Sequence, residues 1–289
     1  MHNVEWSLVI FTLFSQFSVG ILISMLIYQA IVFRDSHEPA SALIRKGLYS
    51  SLVIKVIALV VSFLHLSAPQ QSVFALSNLA YSWLSREILM ASLFAFLVFL
   101  STVYIHYPRR SNSIMVLLMS LSAISGLYLV YAMARLYMIP TVPVWNTPFT
   151  LMGFVSSIFV VSPVLVIIFS IRMSKSGIVL PALHKLIFYL SIIIFAGLLL
   201  RLMGNIIFRP EIPADINIGF MMEEVSFWIK ALYWLLLAVG AILLIQSINQ
   251  ILMNKIPAAK RLYVVLICFF CAEVIARSLF YYSYFRIGL

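Results

Sequence analysis

The chain reads as eight long apolar runs separated by short polar breaks, at 8–33, 48–66, 88–107, 114–137, 149–171, 186–208, 225–248 and 262–284. Each is near the ~20 residues that cross a ~30 Å hydrocarbon layer as a helix. None shows the period-two alternation of a membrane barrel strand. The pattern predicts an all-α integral membrane protein with eight transmembrane helices. The first run has no basic flank and is too long for the apolar core of a cleavable leader, so it is expected to be the first span itself.

Composition strengthens this reading. Of 289 residues, 64% are apolar and 10% charged, against roughly 25% charged in soluble domains. Spans and short connections use nearly all of 1–289, which leaves a single transmembrane domain. Bulky chemistry must then come from partner subunits.

Charge sets an expected orientation. The connections after spans 1, 3, 5 and 7 hold eleven Lys and Arg, among them Arg45, Lys46, Arg109, Arg110, Lys260 and Arg261. The opposite side holds four, Arg86, Arg135, Arg209 and Arg286, and most of the acidic residues. The positive-inside rule puts the basic set in the cytoplasm and both termini on the periplasmic side. The net charge of +10 thus reflects orientation and contact with lipid headgroups, not nucleic-acid binding. The longer connections, 67–87 and 209–224, and the Pro-rich 139–148 fall outside, where a partner would dock.

Two short matches suggest a repeat. Phe11-Thr12-Leu13-Phe14 resembles Phe149-Thr150-Leu151-Met152, and Ala134-Arg135 resembles Ala276-Arg277. Two four-helix halves in parallel, 1–140 and 141–289, would produce them.

Ionisable groups inside a membrane are costly and are functional candidates by default. At ~1.5 Å per residue, Arg201, Lys230, Glu273 and Arg277 fall in the outer half, with Arg135, His65 and Glu87 at outer helix ends. Lys55 alone falls in the inner half, facing a wet crevice or snorkelling inward. Structural roles compete for several of these. Glu273 and Arg277 are one turn apart and are expected to pair. Lys230 can snorkel to the headgroups, and Arg135 can anchor a helix end. Cys268 and Cys271 share a helix face but lack the further ligands of a metal site, so they are expected to pack as small apolar residues.

His65 and Glu87 border the same outer connection. A histidine there can be a headgroup-level residue, and a carboxylate in a first helical turn can simply complement the helix dipole. Together they also offer what a quinol needs: a hydrogen-bond partner and a base for its hydroxyls beside apolar surface. Haem would need two His at like depth on facing helices. His2, His37, His106 and His184 supply no such mate for His65, so neither haem nor metal is expected.

A set of short motifs stands in order along the chain. Glu5-Trp6-Ser7-Leu8 opens it, and Leu64-His65-Leu66-Ser67-Ala68-Pro69 follows. Then come Ala75-Leu76-Ser77-Asn78, Ser85-Arg86-Glu87-Ile88 and Arg135-Leu136-Tyr137. Thr141-Val142-Pro143-Val144-Trp145, Met152-Gly153-Phe154, Ala272-Glu273-Val274-Ile275-Ala276-Arg277 and Phe280-Tyr281 complete it. In this order they resemble a known family, the DmsC membrane anchor subunits of bacterial dimethyl-sulfoxide reductases, related to the NrfD and polysulfide-reductase anchors. The departures are Val4 where the family has His, Ser67-Ala68 for Gly-Ser, and Arg86 for a polar neutral residue.

The resemblance implies a haem-free inner-membrane anchor that oxidises menaquinol. Electrons would pass to an iron–sulfur subunit and on to a molybdopterin subunit at the periplasmic face. It implies that His65 and Glu87 serve the menaquinol site. Arg86, Arg135, Arg201, Lys230, Glu273 and Arg277 are candidates to bind the headgroup or balance its charge. Arg86 beside Glu87 is expected to pair with it and weaken it as a base. An ion- or proton-coupled transporter and a purely structural anchor are the competing readings.

Overall fold

The computed structural model describes residues 6–35, 40–65, 76–174, 180–207, 219–253 and 258–283. Among them are nine α-helices: α1 Trp6–Asp35, α2 Ala40–His65, α3 Trp83–Tyr104, α4 Asn112–Tyr137, α5 Pro148–Val160, α6 Ser162–Ser174, α7 Leu180–Ile207, α8 Gly219–Leu252 and α9 Ala259–Tyr282. They make eight stretches long and apolar enough to cross a membrane, as the sequence pattern predicts, and the described residues contain no strand.

The fifth span departs from the expected single helix. It breaks at Val161 into α5 and α6. Pro163 explains the break: it has no N–H, and its ring clashes with the carbonyl one turn back. At the break, Ser162 Oγ donates to the Phe17 carbonyl at 2.9 Å. Gly20 of α1 lies against this point, where a Cβ would collide with the Ile158 carbonyl and Ser162. A helix can approach another this closely only with a small residue at the contact.

Several helices start earlier than hydropathy suggests. α2 begins at Ala40 rather than 48, because Leu43, Ile44 and Leu48 face the core and extend the buried stripe. α8 begins at Gly219 rather than 225, which puts Glu223 and Glu224 within the helix. The motif residues 66–75 and most of the 209–224 connection lie outside the described residues.

Spans 1 and 5 are the centre of the bundle, with 72% and 78% of their apolar windows buried. α1 packs against α2, α4, α5, α6, α7 and α9. At one end, the 138–147 connection folds back onto the bundle. Val142 and Trp145 are buried, and Trp145 Nε1 donates to the Phe280 carbonyl at 2.8 Å. Trp145 stacks on Phe280 with centroids 5.0 Å apart, and Tyr137 packs edge-on to Trp145 at 5.4 Å. This aromatic plug ties the end of α4 to the end of α9. At the other end, Tyr49 of α2 and His106 after α3 share a 2.6 Å hydrogen bond.

Candidate functional site

Glu87 lies at the same end as the plug. Ser82 is the N-cap of α3, its side chain accepting from the Ser85 amide, and such a cap fixes where a helix starts. The helix therefore begins five residues before the expected 88. Glu87 sits in its second turn, not on an exposed lip. It points inward on a stripe with Ala91, Phe94 and Val98, and is 4% exposed.

Adjacent residues on a helix point in different directions, and Arg86 does not pair with Glu87. Its Nε donates to the Leu79 carbonyl at 2.9 Å and its Nη2 to the Ala80 carbonyl at 2.6 Å. The guanidinium lies 4.3 Å from the Trp83 ring centre. The expectation that Arg86 weakens Glu87 by pairing is thus corrected: its donors are used by the turn before α3. Arg135 of α4 approaches the Trp83 ring at 5.2 Å, and Tyr131 packs edge-on to it at 5.6 Å. The structure brings Arg86, Arg135 and Glu87 around one turn of α3, with Trp83 as the shared platform.

Lys55 joins them from below. It neither snorkels nor faces lipid, being fully buried. Its Nζ donates to Ser15 Oγ at 3.0 Å and lies 5.3 Å and 5.8 Å from the Phe11 and Phe94 ring centres. Lys55 and Glu87 are within electrostatic range of one another, without direct ion contact. His65 ends α2; its side chain lies outside the described residues.

The second group of buried charges is arranged differently from the expectation. Glu273 does not pair with Arg277 on its own helix. Its Oε2 meets Arg201 Nη2 of α7 at 2.7 Å, with side chains 1% and 5% exposed. Ser157 Oγ also donates to Glu273 at 2.7 Å, and Arg201 Nε donates to Ser156 Oγ at 2.9 Å. Glu273 is thus held by a cation and a hydroxyl from other helices, whose donors approach it directly. Arg277 turns away, donating to Gln16 Oε1 at 2.9 Å and lying flat on Phe154 at 3.6 Å.

Lys230 is separate from both groups. It is exposed on α8 beside Phe227 and Trp228, 62% and 73% exposed. Basic and aromatic side chains so placed suit the headgroup region. Cys268 is buried and Cys271 exposed, and both are free thiols. Among the described residues, no three His, Cys, Asp or Glu converge as metal ligands. An apolar cavity of about 270 Å³ opens beside the break at Val161, lined by residues such as Phe14, Phe17, Ile54 and Phe270. None of the charged residues lines it.

Sequence reasoning missed Ser15, Gln16, Ser156, Ser157 and Trp83. Ser15-Gln16 and Ser156-Ser157 interrupt the two most buried spans. Paired small polar residues on a central helix are the signal that they serve buried ions.

A bundle of eight apolar crossings around two groups of buried charge defines a multi-pass membrane protein with an intramembrane polar site. The chain belongs to the DmsC family, the DMSO reductase anchor subunits, whose family model matches residues 1–282. It is similar to the C subunit of the anaerobic dimethyl sulfoxide reductase of Escherichia coli, 29% identical over 162 residues, or 56% of each protein. It is equally similar to the YnfH subunit of an anaerobic dimethyl sulfoxide reductase of that organism, 29% over 164 residues and again 56% of each. The C subunit of the Haemophilus influenzae reductase is 24% identical over 150 residues, covering 52% of this protein and 53% of that one. The matched stretch thus spans about half the length of each of these relatives. Family and fold together make this a multi-pass protein of the bacterial inner membrane.

Proposed function

We propose that this chain is the haem-free, menaquinol-oxidising anchor of a molybdoenzyme complex of the DMSO reductase type. The observation that carries the reading is Glu87, a carboxylate buried among apolar side chains at one end of the bundle. Trp83 stands one turn above it, with Arg86 and Arg135 against its ring. A buried carboxylate is expensive unless it has a task or a partner, and its expected partner on α3 is engaged elsewhere. The resemblance of Leu64-His65-Leu66 and Ser85-Arg86-Glu87-Ile88 to the family's motifs supports the same assignment.

In this account menaquinol enters from the lipid with its headgroup at Glu87 and His65. Oxidation of the quinol to the quinone releases two electrons and two protons. Glu87 takes one proton and His65 the other, before both leave to the periplasm. The electrons pass to an iron–sulfur partner subunit docked at the Glu87 end, and from there to a molybdopterin subunit. Arg135 and Arg86 orient the headgroup through Trp83. Arg201, Glu273 and Arg277 hold helices together and do not touch the quinol.

The test is turnover of the assembled complex with two electron sources. Glu87→Gln and His65→Ala should each slow quinol-dependent reduction at least tenfold, while a soluble artificial donor to the partner subunits still drives full activity. Unchanged quinol-dependent turnover in both variants would contradict the reading and favour a purely structural anchor.

A further inference from the structure

The apolar cavity beside the break at Val161 lies in the angle between α2 and α9, both of which pack on α1. Phe14 and Phe17 of α1 form its back, Ile54 of α2 one side, and Leu266 and Phe270 of α9 the other. The Phe17 and Phe270 rings meet with centroids 5.7 Å apart. Ile267 and Phe270, 60% and 36% exposed, stand at the lip, so the mouth opens to lipid.

Chemistry and size limit what such a cavity takes. Among the described residues on its walls only Ser162 is polar, and its hydroxyl is spent on the Phe17 carbonyl at 2.9 Å. The walls offer no partner to water, which needs two to four. One turn of a helix ~10 Å across fills ~400 Å³. That exceeds the cavity's volume of about 270 Å³, so the helix of a partner does not fit. A single hydrocarbon chain does.

Two helices connect the cavity to the Glu87 end of the bundle. Between Val9 and Leu22, α1 is buried everywhere except at Ile10 and Phe14. These stand one turn apart on the face that carries Phe17. One narrow track therefore opens along α1, and it ends at the cavity. On α2, Ala58, Val61 and His65 follow Ile54 in helical register, and Val61 is half-buried like Ile54. Position 65 stands three turns, ~16 Å, above Ile54. The cleft thus begins at the end of α2, where the quinol headgroup is placed.

We infer that the cleft between α2 and α9 holds the isoprenoid tail of the quinol, from the end of α2 down to the break at Val161. This rests on the reading of His65 and Glu87 as the headgroup site. A tail tethered by its bound headgroup meets the cleft at high effective concentration, an advantage that a free lipid chain lacks. Each unit of tail that enters leaves lipid for walls built of ring faces and branched side chains, and the cleft fixes the side from which the headgroup arrives.

The test uses the assembled complex and two quinols of one headgroup, the first without a tail and the second with several isoprene units. Each variant is compared with wild type on the same quinol, which cancels the partition of the tail into detergent. Ile54→Trp, which narrows the cleft, should raise the KM of the tailed quinol about tenfold more than that of the tailless one, the worth of roughly two buried CH₂ groups. Leu266→Phe narrows the cleft from α9 and should act alike. Reduction by the artificial donor reports assembly. Equal changes for the two quinols, or none, would overturn the inference, and that is the outcome if a phospholipid chain fills the cleft. In the wild-type complex, a tailed quinol with a photoreactive group near its end should label α1, α2 or α9 at the cavity. Labelling confined to other helices would overturn the inference without recourse to any variant. Glu87→Gln measured in parallel keeps the two readings apart. If it leaves both quinols unaffected, the headgroup assignment fails; if it impairs both while Ile54→Trp shifts them equally, only the tail assignment fails.

Discussion

Arg201 Nη2 and Glu273 Oε2 lie 2.7 Å apart, nearly sealed from the surroundings, and they join α7 to α9 across the buried fifth span. Removing one member of a buried pair strands the other charge and costs about 3–5 kcal/mol, whereas replacing both with apolar residues is often neutral. Arg201→Met alone is therefore expected to lower the unfolding midpoint of the detergent-solubilised complex sharply. The double variant Arg201→Met, Glu273→Leu should recover most of that loss. Both should keep their quinol dependence when they assemble, because in the proposed reading this pair holds helices and does not touch the quinol.

Tyr281 and Tyr137 form a second cross-bundle link, the Tyr281 hydroxyl donating to that of Tyr137 at 2.9 Å. Each hydroxyl is buried, so a single Tyr→Phe change leaves its partner unsatisfied at a cost of about 1–3 kcal/mol. The double Phe variant should cost less than the sum of the two single changes. A double-mutant cycle by denaturation checks this, and strictly additive losses would show that the bond contributes nothing.

The second link also joins the two parts of the chain that the sequence repeat suggests: Tyr137 and Tyr281 touch, and Gly20 of span 1 lies against Ile158 and Ser162 of span 5. We propose that 1–140 and 141–289 are two four-helix halves packed on each other through such contacts. Ile139, Pro140 and Thr141 are exposed, and exposed loop tips tolerate a break in the backbone. Two fragments divided between 140 and 141 and expressed together should copurify and restore quinol-dependent turnover. Failure of the fragments to associate would contradict the halves as folding units.

The eight crossings were legible because apolar runs of this length have few alternatives. The helix starts were less so. Hydropathy sees only the apolar run, so it misses the first turns of α2, where Leu43, Ile44 and Gly47 are buried beside exposed Arg45 and Lys46, and the Ser82 cap that draws Glu87 into α3. The break at Val161 was signalled by Pro163 but hidden within an unbroken apolar run. Glu87 stood out as a candidate from its place beside the polar connection, but its burial was not legible: Arg86, next in sequence, points elsewhere, and the inward turn of α3 depends on a cap five residues upstream. The pairing of Glu273 with Arg201 rather than Arg277 was hidden as well. Interhelical geometry decides between partners that helical spacing alone makes equally plausible.

The central claim is that a quinol headgroup binds at Glu87, and direct binding tests it. Titration of the purified complex with a quinol-site inhibitor, read by inhibitor fluorescence, should show one site. Glu87→Gln should weaken that site at least tenfold, about 1.4 kcal/mol, while Lys230→Gln leaves it unchanged. Equal affinity in wild type and Glu87→Gln would contradict the account.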